Sequence, residues 1–363
     1  MDAKKAWRFK CVSVGAALGL ALLIGVGCGT QTPVPSSPSP PPEAPPSERT
    51  ISAQNVASLQ ELRQFPAAIG PVLASAFEPN SHTLATLGWD RVVRLWDADS
   101  GRLLAELYEH NGPGRGLAYS PDGSRLISSG RSSGDDILIW NTANSQATSG
   151  VNLTGYVVYD VDWSPDGSRF AVVSRGSSRV FIYQVDGLSL TQRRPSGQWL
   201  WSVAYGTDWL AVTSETGATY VYTTEGYDFR KELPHPARYP GRDLQFSPDE
   251  SLLANCFVDG TVVIWRTTDW ELVTSIQAHA FDEVASIEGC RNGTFSRSGD
   301  VYFSVGDDGR LAAWDPYTGA MLFEIALGER ALAVSISSDG ELLAVALRDG
   351  TIHIFGLPEV ARQ

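Results

Sequence analysis

The chain has 363 residues, of which 43% are hydrophobic and 19% are charged, and its formal net charge is −13 at pH 7. This length would allow two or three domains of ordinary size. The acidic balance argues against nucleic acid or an anionic membrane surface as the main partner, because both repel a negatively charged protein. Solubility is the simpler interpretation of the same charge.

Residues 1–27 have the pattern of an export signal. Four basic residues lie within the first ten positions, an apolar core runs from Val12 to Val26, and small residues precede Cys28. The segment IGVGC resembles the bacterial lipoprotein processing site, in which Cys28 becomes the acylated first residue. Gly25 departs from that pattern, since a Leu or a similar residue is usual there. An uncleaved membrane anchor and an ordinary cleaved secretion signal are the alternatives, and all three predict export to the periplasm or the cell exterior.

Residues 28–50 are predicted to form a tether that begins at the lipid-type Cys28. The segment is rich in Pro and Ser and has no apolar periodicity around which a core could form. Pro-rich chains favour an extended polyproline II conformation. The folded part is therefore predicted over residues 51–363.

One pattern returns seven times within residues 51–363. It consists of a hydrophobic strand, a Ser-Pro-Asp-Gly type turn, a second strand, and a third strand that ends in an aromatic residue. The closing aromatics recur at intervals of 39 to 49 residues, and they are Trp96, Trp140, Tyr183, Tyr222, Trp265, Trp314 and Phe355. Such self-similarity predicts stacked β-blades, because one unit cannot bury its own apolar face.

The units also share finer detail. The string LLANCFVDGTVVIWR at residues 252–266 has counterparts at 301–315 and at 342–355. An Asp stands six residues before the closing aromatic in four units, at Asp90, Asp259, Asp308 and Asp349. This arrangement resembles the WD-repeat family. The resemblance implies an all-β fold, a seven-bladed β-propeller with four antiparallel strands in each blade.

Closure of the ring requires one more strand. Only eight residues follow Phe355, which are too few for a fourth strand and its connection. The segment from Leu59 to Phe65 has the length of a strand and precedes the first unit. We predict that this N-terminal strand completes the last blade, because closing the ring removes an open sheet edge.

The family resemblance also implies a buried network of His, Ser or Thr, Asp and Trp inside a blade. The sixth blade has all four residue types, at His279, Ser304, Asp308 and Trp314. Three other blades have part of the set, namely Thr86, Asp90 and Trp96 in the first, His235, Asp259 and Trp265 in the fifth, and Asp349 in the seventh. Blades two to four lack the Asp in register, so we expect apolar packing to stabilise them.

Two cysteines fall within the repeats, Cys256 and Cys290, in neighbouring blades. An oxidising compartment would permit a disulfide between them. A buried Cys is also a common small hydrophobic residue, so the sequence leaves both interpretations open.

No motif predicts catalysis. Residues 130–134 match the Gly-x-Ser-x-Gly pattern, but they lie between two strands, whereas that nucleophile motif requires a strand-to-helix turn. The five His residues are scattered without the spacing of metal ligands. We therefore predict that the protein is not an enzyme and uses neither a metal nor a cofactor.

The loops between the second and third strands are the predicted contact surface. In the WD-repeat family these loops lie on the face that commonly binds partners. Trp89, Arg131, Arg175 and Arg348 would form an arc there, and Arg and Trp are enriched at interaction hot spots. Ordinary solvated loop residues are the alternative.

A second aromatic group enters the fourth blade. Trp199, Trp201 and Tyr205 fall on one side of a predicted strand, where core packing is the favoured interpretation. The alternative is that Trp199 faces the channel mouth, where it would suit stacking on a sugar or a peptide.

The sequence thus predicts an exported, lipid-anchored scaffold that presents propeller loops to protein or peptide partners at the cell envelope, without catalysis. Recognition of a small ligand in the central channel, such as a glycan or a cell-wall fragment, is the alternative function. A propeller enzyme is the third possibility.

Overall fold

A computed structural model of the protein describes residues 47, 49–108, 110, 112–130, 136–153, 156–193, 198–235 and 238–358. The predicted signal, Cys28 and most of the tether lie outside these ranges. The described residues form 28 strands and two single 3-10 turns, Val56–Ser58 and Asp186–Leu188. Within the same residues, no helix is long and apolar enough to span a membrane.

The strands form seven four-stranded antiparallel sheets, each of which is one blade. Blade one contains β2 (Val72–Phe77), β3 (Thr83–Gly88), β4 (Val93–Asp97) and β5 (Arg102–Leu107). Blade two contains β6 (Leu117–Tyr119), β7 (Arg125–Ser129), β8 (Ile137–Asn141) and β9 (Gln146–Val151). Blade three contains β10 (Val157–Trp163), β11 (Arg169–Arg175), β12 (Val180–Gln184) and β13 (Leu190–Arg193). Blade four contains β14 (Leu200–Tyr205), β15 (Trp209–Ser214), β16 (Thr219–Thr223) and β17 (Phe229–Leu233).

Blades five to seven complete the circle. Blade five contains β18 (Gly241–Phe246), β19 (Leu252–Phe257), β20 (Thr261–Arg266) and β21 (Leu272–Gln277). Blade six contains β22 (Cys290–Phe295), β23 (Tyr302–Gly306), β24 (Arg310–Trp314) and β25 (Met321–Ala326). Blade seven contains β26 (Ala331–Ile336), β27 (Leu342–Leu347), β28 (Thr351–Gly356) and β1 (Gln60–Pro66). The first strand of each blade contacts the first strand of the next, and β26 contacts β2, so the predicted seven-bladed β-propeller is confirmed.

The last blade draws its outermost strand from the N-terminal side. β1 pairs antiparallel with β28, from Gln60 opposite Gly356 to Pro66 opposite Thr351. A bulge places Arg63 opposite Ile354 and leaves Leu62 unpaired in the ladder. The two ends of the repeat region therefore share one sheet. Contacts with blade seven begin before residue 51, since the Thr50 hydroxyl donates to the Asp339 carbonyl at 3.1 Å.

Each blade buries its strands against two neighbours. Strands β19 and β27 are buried at all six of their positions, which explains why their sequences, LLANCF and LLAVAL, are almost wholly apolar. The apolar clusters lie between blades rather than within them. One such cluster joins Leu252 and Ile264 of blade five to Tyr302 and Trp314 of blade six.

The complete polar network lies in blade six, as the resemblance implies. His279 Nδ1 lies 2.9 Å from an Asp308 carboxylate oxygen, and His279 Nε2 lies 2.8 Å from Ser304 Oγ. The Trp314 indole N–H donates to the same Ser304 hydroxyl at 2.9 Å. Ser304 therefore joins the second and third strands to the segment that precedes the blade.

The other blades depart from this arrangement. In blade one the Trp96 indole donates to the Thr86 hydroxyl at 3.0 Å, while Asp90 accepts from Arg94 at 2.7 Å. In blade five His235 Nε2 lies 2.9 Å from Thr261 Oγ1, which donates to Asp259 at 2.6 Å. Trp265 makes no hydrogen bond to this group among the described residues. In blade seven Asp349 accepts from the backbone N–H and the hydroxyl of Thr351 at 2.9 and 2.7 Å.

Blade two has a network that the sequence analysis missed. His110 Nε2 lies 2.6 Å from Ser128 Oγ, and the Trp140 indole donates to that hydroxyl at 2.7 Å. Burial lowers the pKa of His110 to about 4, so its ring is neutral at pH 7. This polar network adds to the apolar packing that we expect to stabilise the blade.

A disulfide joins Cys256 to Cys290, whose Cα atoms are 5.5 Å apart. It links the second strand of blade five to the first strand of blade six. Both cysteines are fully buried. The bond therefore crosses an interface between blades and closes a 34-residue separation in the sequence.

Candidate functional site

The first strand of nearly every blade carries a bulge close to its start. Bulges place one extra residue opposite the second strand in six blades. The extra residues are Leu73, Tyr159, Trp201, Arg242, Arg291 and Leu332. In blade two, Arg115 takes the corresponding place, two residues before Leu117. A bulged residue leaves the ladder and its side chain is redirected. All seven side chains line one cavity of about 470 Å³ at the mouth of the central channel.

Four of these side chains stack across consecutive blades. The Arg115 guanidinium carbon lies 5.7 Å from the centre of the Tyr159 ring. Tyr159 stacks on Trp201 with ring centres 4.5 Å apart and an interplanar angle of 12°. The Arg242 guanidinium carbon lies 4.3 Å from the centre of the Trp201 ring. The aromatic rings thus hold guanidinium groups by cation–π contact at both ends of the stack.

Ion pairs position Arg291 and Arg330 at the mouth. Arg291 contacts Glu288 at 2.7 Å and Asp307 at 2.8 Å, and Arg330 contacts Asp307 at 3.1 Å. Arg242 also pairs with Glu288. Glu288 comes from the connection between β21 and β22, which contributes a carboxylate to the arginine cluster.

Two further arginines of the mouth have no such partner. Among the described residues, the guanidinium groups of Arg115 and Arg348 have no hydrogen-bond acceptor, and both side chains are exposed. Trp89, which lines the same cavity, is 58% exposed. These three residues belong to blades two, seven and one, so they are adjacent around the ring.

A polar layer lies directly below the mouth. In blades three to six, the residue after the bulge accepts a hydrogen bond from the first strand of the next blade, and these residues are Asp160, Ser202, Asp243 and Asn292. Asp160 accepts from Val203 N at 3.0 Å, and Asp243 accepts from Gly293 N at 3.0 Å. The first strands have a free edge facing the channel, and these side chains satisfy its N–H groups.

Burial changes the ionisation of this layer. It raises the pKa of Asp160 to about 6 and that of Asp162, two residues further along β10, to about 7. Burial, with the nearby charge of Asp160, raises the pKa of Asp243 to about 8. At pH 7 the layer therefore carries less negative charge than its three carboxyl groups would suggest.

Comparison with known proteins agrees with this architecture. The WD40 family, described as "WD domain, G-beta repeat", matches residues 59–97 and 242–266. The chain is 28% identical over 273 residues to apoptotic protease-activating factor 1 of Danio rerio, an alignment that covers 73% of this chain and 20% of that protein. These matches support a WD-repeat propeller.

Two further relatives extend the comparison of this propeller. Autophagy-related protein 16 of Arabidopsis thaliana is 24% identical over 286 residues, which is 77% of this chain and 46% of that protein. Small ribosomal subunit protein RACK1y of Oryza sativa subsp. japonica is 24% identical over 202 residues, which is 55% of this chain and 48% of that protein. The chain thus spans less than half the length of each of these three relatives. At the level of the fold family, these propeller relatives suggest a protein-interaction scaffold.

The structure brings only part of the predicted arc of contact residues together in one cavity. Trp89 and Arg348 both line the cavity of the propeller mouth. Arg175 instead stacks on Trp199 of blade four, at 5.3 Å from the ring centre, and is not part of the cavity lining. Arg131 lies outside the described residues.

The favoured interpretation of the blade-four aromatics is wrong in part. Trp201 occupies a bulge and lines the propeller mouth instead of packing in the core. Trp199 is 39% exposed and contacts Arg175 outside the cavity. Tyr205 is buried in an apolar cluster, as expected for the core.

Most of the mouth residues escaped the sequence analysis. Arg115, Tyr159, Arg242 and Arg291 were not predicted, because they lie at the start of the first strands and the predicted contact surface was the loops after the second strands. A signal for them was present, since each stands four residues before the aromatic residue that ends the first strand of its blade. Within the described chain, no group of three or more His, Cys, Asp or Glu side chains could hold a metal ion.

Proposed function

We propose that this propeller is an exported, lipid-anchored scaffold that binds a protein or peptide partner at the mouth of its channel, at the cell envelope and without catalysis. The observation that carries this proposal is the ring of side chains contributed by six bulges and by Arg115, which concentrates Arg, Trp and Tyr in one concave site. These residue types dominate the binding energy of protein interfaces.

The rigid ring explains how such a site would work. The mouth residues start from strands that are hydrogen-bonded within a blade and packed against two neighbours. A partner would therefore meet side chains that lose little freedom on binding, which favours affinity.

Export is supported by two independent features of the chain. The segment before Cys28 resembles a lipoprotein processing site, and the folded part contains the disulfide between Cys256 and Cys290. Structural disulfides persist in oxidising compartments and are rare in the cytosol. The Pro-rich tether would hold the propeller away from the membrane.

Replacing Cys28 with Ser tests the anchor. The variant is expected to lose all incorporation of labelled palmitate and to move from the membrane fraction to the soluble fraction, because the acyl chains attach at that thiol. The matched control is Cys11→Ser within the predicted signal, which should stay lipidated. A Cys28→Ser protein that remains in the membrane would instead indicate an uncleaved anchor.

Site-specific photo-crosslinking tests the binding face. Benzoylphenylalanine at position 89, in the mouth, is expected to form adducts with a defined envelope protein. The same group at position 229, on the outermost strand of blade four, should form none, although Phe229 is 59% exposed. Equal amounts of adduct at both positions, or no adduct at position 89, would contradict the proposal that the mouth is the binding face.

A small ligand in the mouth is the second candidate function. The cavity of about 470 Å³ favours it, because small-molecule sites span roughly 300–1,000 Å³. Trp201, however, has Tyr159 and Arg242 stacked against its ring, so it offers no free face for a sugar. Thermal stabilisation by cell-wall fragments would support this candidate, and an unchanged melting temperature would exclude it.

A further inference from the structure

We propose that the mouth of the channel selects an acidic peptide segment of its partner, with Arg115 and Arg348 contacting Glu or Asp side chains of that segment. This inference rests on the proposed function and adds the chemistry of the ligand. It follows from the balance of hydrogen-bond donors and acceptors in the cavity.

The acceptors of the mouth are already engaged. The two carboxylate oxygens of Asp307 accept from Arg291 at 2.8 Å each, and one of them also accepts from Arg330 at 3.1 Å. One oxygen of Glu288 contacts both Arg242 and Arg291. Asp160 accepts from Ser202 Oγ at 2.6 Å in addition to a backbone N–H.

The donors, in contrast, are in excess. The guanidinium groups of Arg115 and Arg348 have no acceptor among the described residues. The side-chain atoms Arg242 Nε and Trp201 Nε1 are buried there without a hydrogen-bond partner. Unsatisfied buried donors are rare in folded proteins, and here they accompany two exposed cations in one cavity. A ligand that contacts the two exposed guanidinium groups must therefore supply acceptors, and anionic acceptors give the strongest hydrogen bonds.

The charge of the cavity points to the same ligand. Five arginines line it, and they are Arg115, Arg242, Arg291, Arg330 and Arg348. Three carboxyl groups also line it, at Asp160, Asp243 and Asp307. The mouth is thus a basic concavity in a molecule whose net charge is −13. Such a contrast attracts an acidic segment and directs it to the mouth.

The protein itself contains an example of the proposed contact. Glu288 lies in the connection between β21 and β22, and its carboxylate pairs with two arginines of the mouth, Arg242 and Arg291. A Glu side chain carried by a peptide segment can therefore reach this cavity. Arg115 and Arg348 are the guanidinium groups that such a contact has left unoccupied.

The spacing of the free arginines favours a peptide over a small anion. Arg115 belongs to blade two and Arg348 to blade seven, and the exposed indole of Trp89 in blade one lies between them around the ring. A small anion bound to these guanidinium groups would leave the indole uncovered. An extended chain with several carboxylates would engage both and cover the indole.

The probe for this inference is a fluorescein-labelled synthetic peptide in which glutamates alternate with glycines. Its counterpart has glutamine at the same positions. Anisotropy at low salt is expected to show binding of the Glu peptide, at least roughly tenfold weaker binding of the Gln peptide, and a loss of affinity as salt is added.

The matched variants are Arg115→Gln with Arg348→Gln, and Arg102→Gln as the control. Arg102 is exposed at the opposite end of blade one, where it pairs with Asp97 in the ladder. The double variant should bind the Glu peptide roughly tenfold or more weakly, whereas the control should bind as the unchanged protein does. Circular dichroism and thermal unfolding establish that each variant folds.

The outcomes separate this inference from the proposed function. Equal affinity for the Glu and Gln peptides, or no effect of the double variant, overturns the choice of an acidic segment. Free glutamate that competes as strongly as the peptide assigns the mouth to a small anion instead. If the Glu peptide fails to bind while crosslinks at position 89 still form, the inference is wrong and the proposed function stands. If both fail, both are wrong.

Discussion

Replacing Phe65 with Ala is expected to lower the free energy of unfolding by about 3–5 kcal/mol, the usual cost of truncating a buried aromatic residue. Phe65 lies in β1, opposite Ile352 of β28, and it is only 8% exposed. Its ring centre is 4.9 Å from that of Trp96 in blade one. The side chain thus connects the strand that completes blade seven to the neighbouring blade. Its truncation would leave a cavity between these two blades, where the ring closes.

The matched control is Phe229→Ala in β17, the outermost strand of blade four. Phe229 is 59% exposed, so its removal should cost less than about 1 kcal/mol. Guanidinium unfolding followed by far-UV circular dichroism measures both variants under one set of conditions. A Phe65→Ala protein as stable as the Phe229→Ala protein would show that β1 contributes little to closing the ring.

Replacing Asp243 with Asn is expected to stabilise the protein by at least about 2 kcal/mol near pH 9 and to leave its stability little changed near pH 4. Burial raises the pKa of Asp243 to about 8 from the ordinary value of 3.8. The folded protein therefore keeps a proton that the unfolded chain releases above about pH 4. Its stabilising contribution is complete below the unfolded pKa and is lost as the pH rises through 8.

The neighbours of Asp243 explain the direction of the shift. After burial, the charge of Asp160 raises the pKa most, and that of Asp162 adds to it. The hydrogen bonds from Gly293 N and Asn292 act in the opposite direction but do not reverse it. Asn at position 243 keeps an oxygen that can accept from Gly293 N, and it cannot ionise. The variant should therefore not lose stability at alkaline pH through ionisation at position 243.

Asp249→Asn in the same blade provides a control of opposite sign. Partial burial raises the pKa of Asp249, but hydrogen bonds from Ser247 and Ser251 lower it overall. Its contribution is present above the unfolded pKa and is lost as the pH falls, so the variant should be less stable at both pH 5 and pH 9. Urea unfolding measured at several pH values up to pH 9 distinguishes the Asp243→Asn variant from the Asp249→Asn variant. An Asp243→Asn effect that is the same at every pH would contradict a raised pKa.

The fold could be predicted from the chain because each repeat carries its own pattern. Trp96 and its six counterparts mark the third strand of every blade, and the apolar strings around Leu252 and Leu342 require burial on both faces. The segment from Leu59 to Phe65 has the length of a strand, and β1 covers most of it. Repeat spacing and segment length can be read directly from the sequence, and they are sufficient to predict a propeller.

The site was predictable only in part. Trp89 and Arg348 were identified because they stand next to loops that a repeat alignment locates. The prediction placed Trp201 in the core because it assumed that side chains alternate strictly along the strand. The bulge before Ser202 breaks this alternation and turns Trp201 towards the mouth. His110 was missed because nothing near it in the sequence shows that Ser128 and Trp140 lie beside its ring.

The sequence by itself determined the architecture of this protein, namely the number of blades and the β-strand content of the repeats. The tertiary structure alone decided which side chains meet at the mouth. Residues 115, 159, 201 and 242 are some forty positions apart in the chain, and they stack only because equivalent places in successive blades, three of them bulges, direct them to the channel. Contacts of that kind depend on how blades are placed around the ring, which no local pattern encodes.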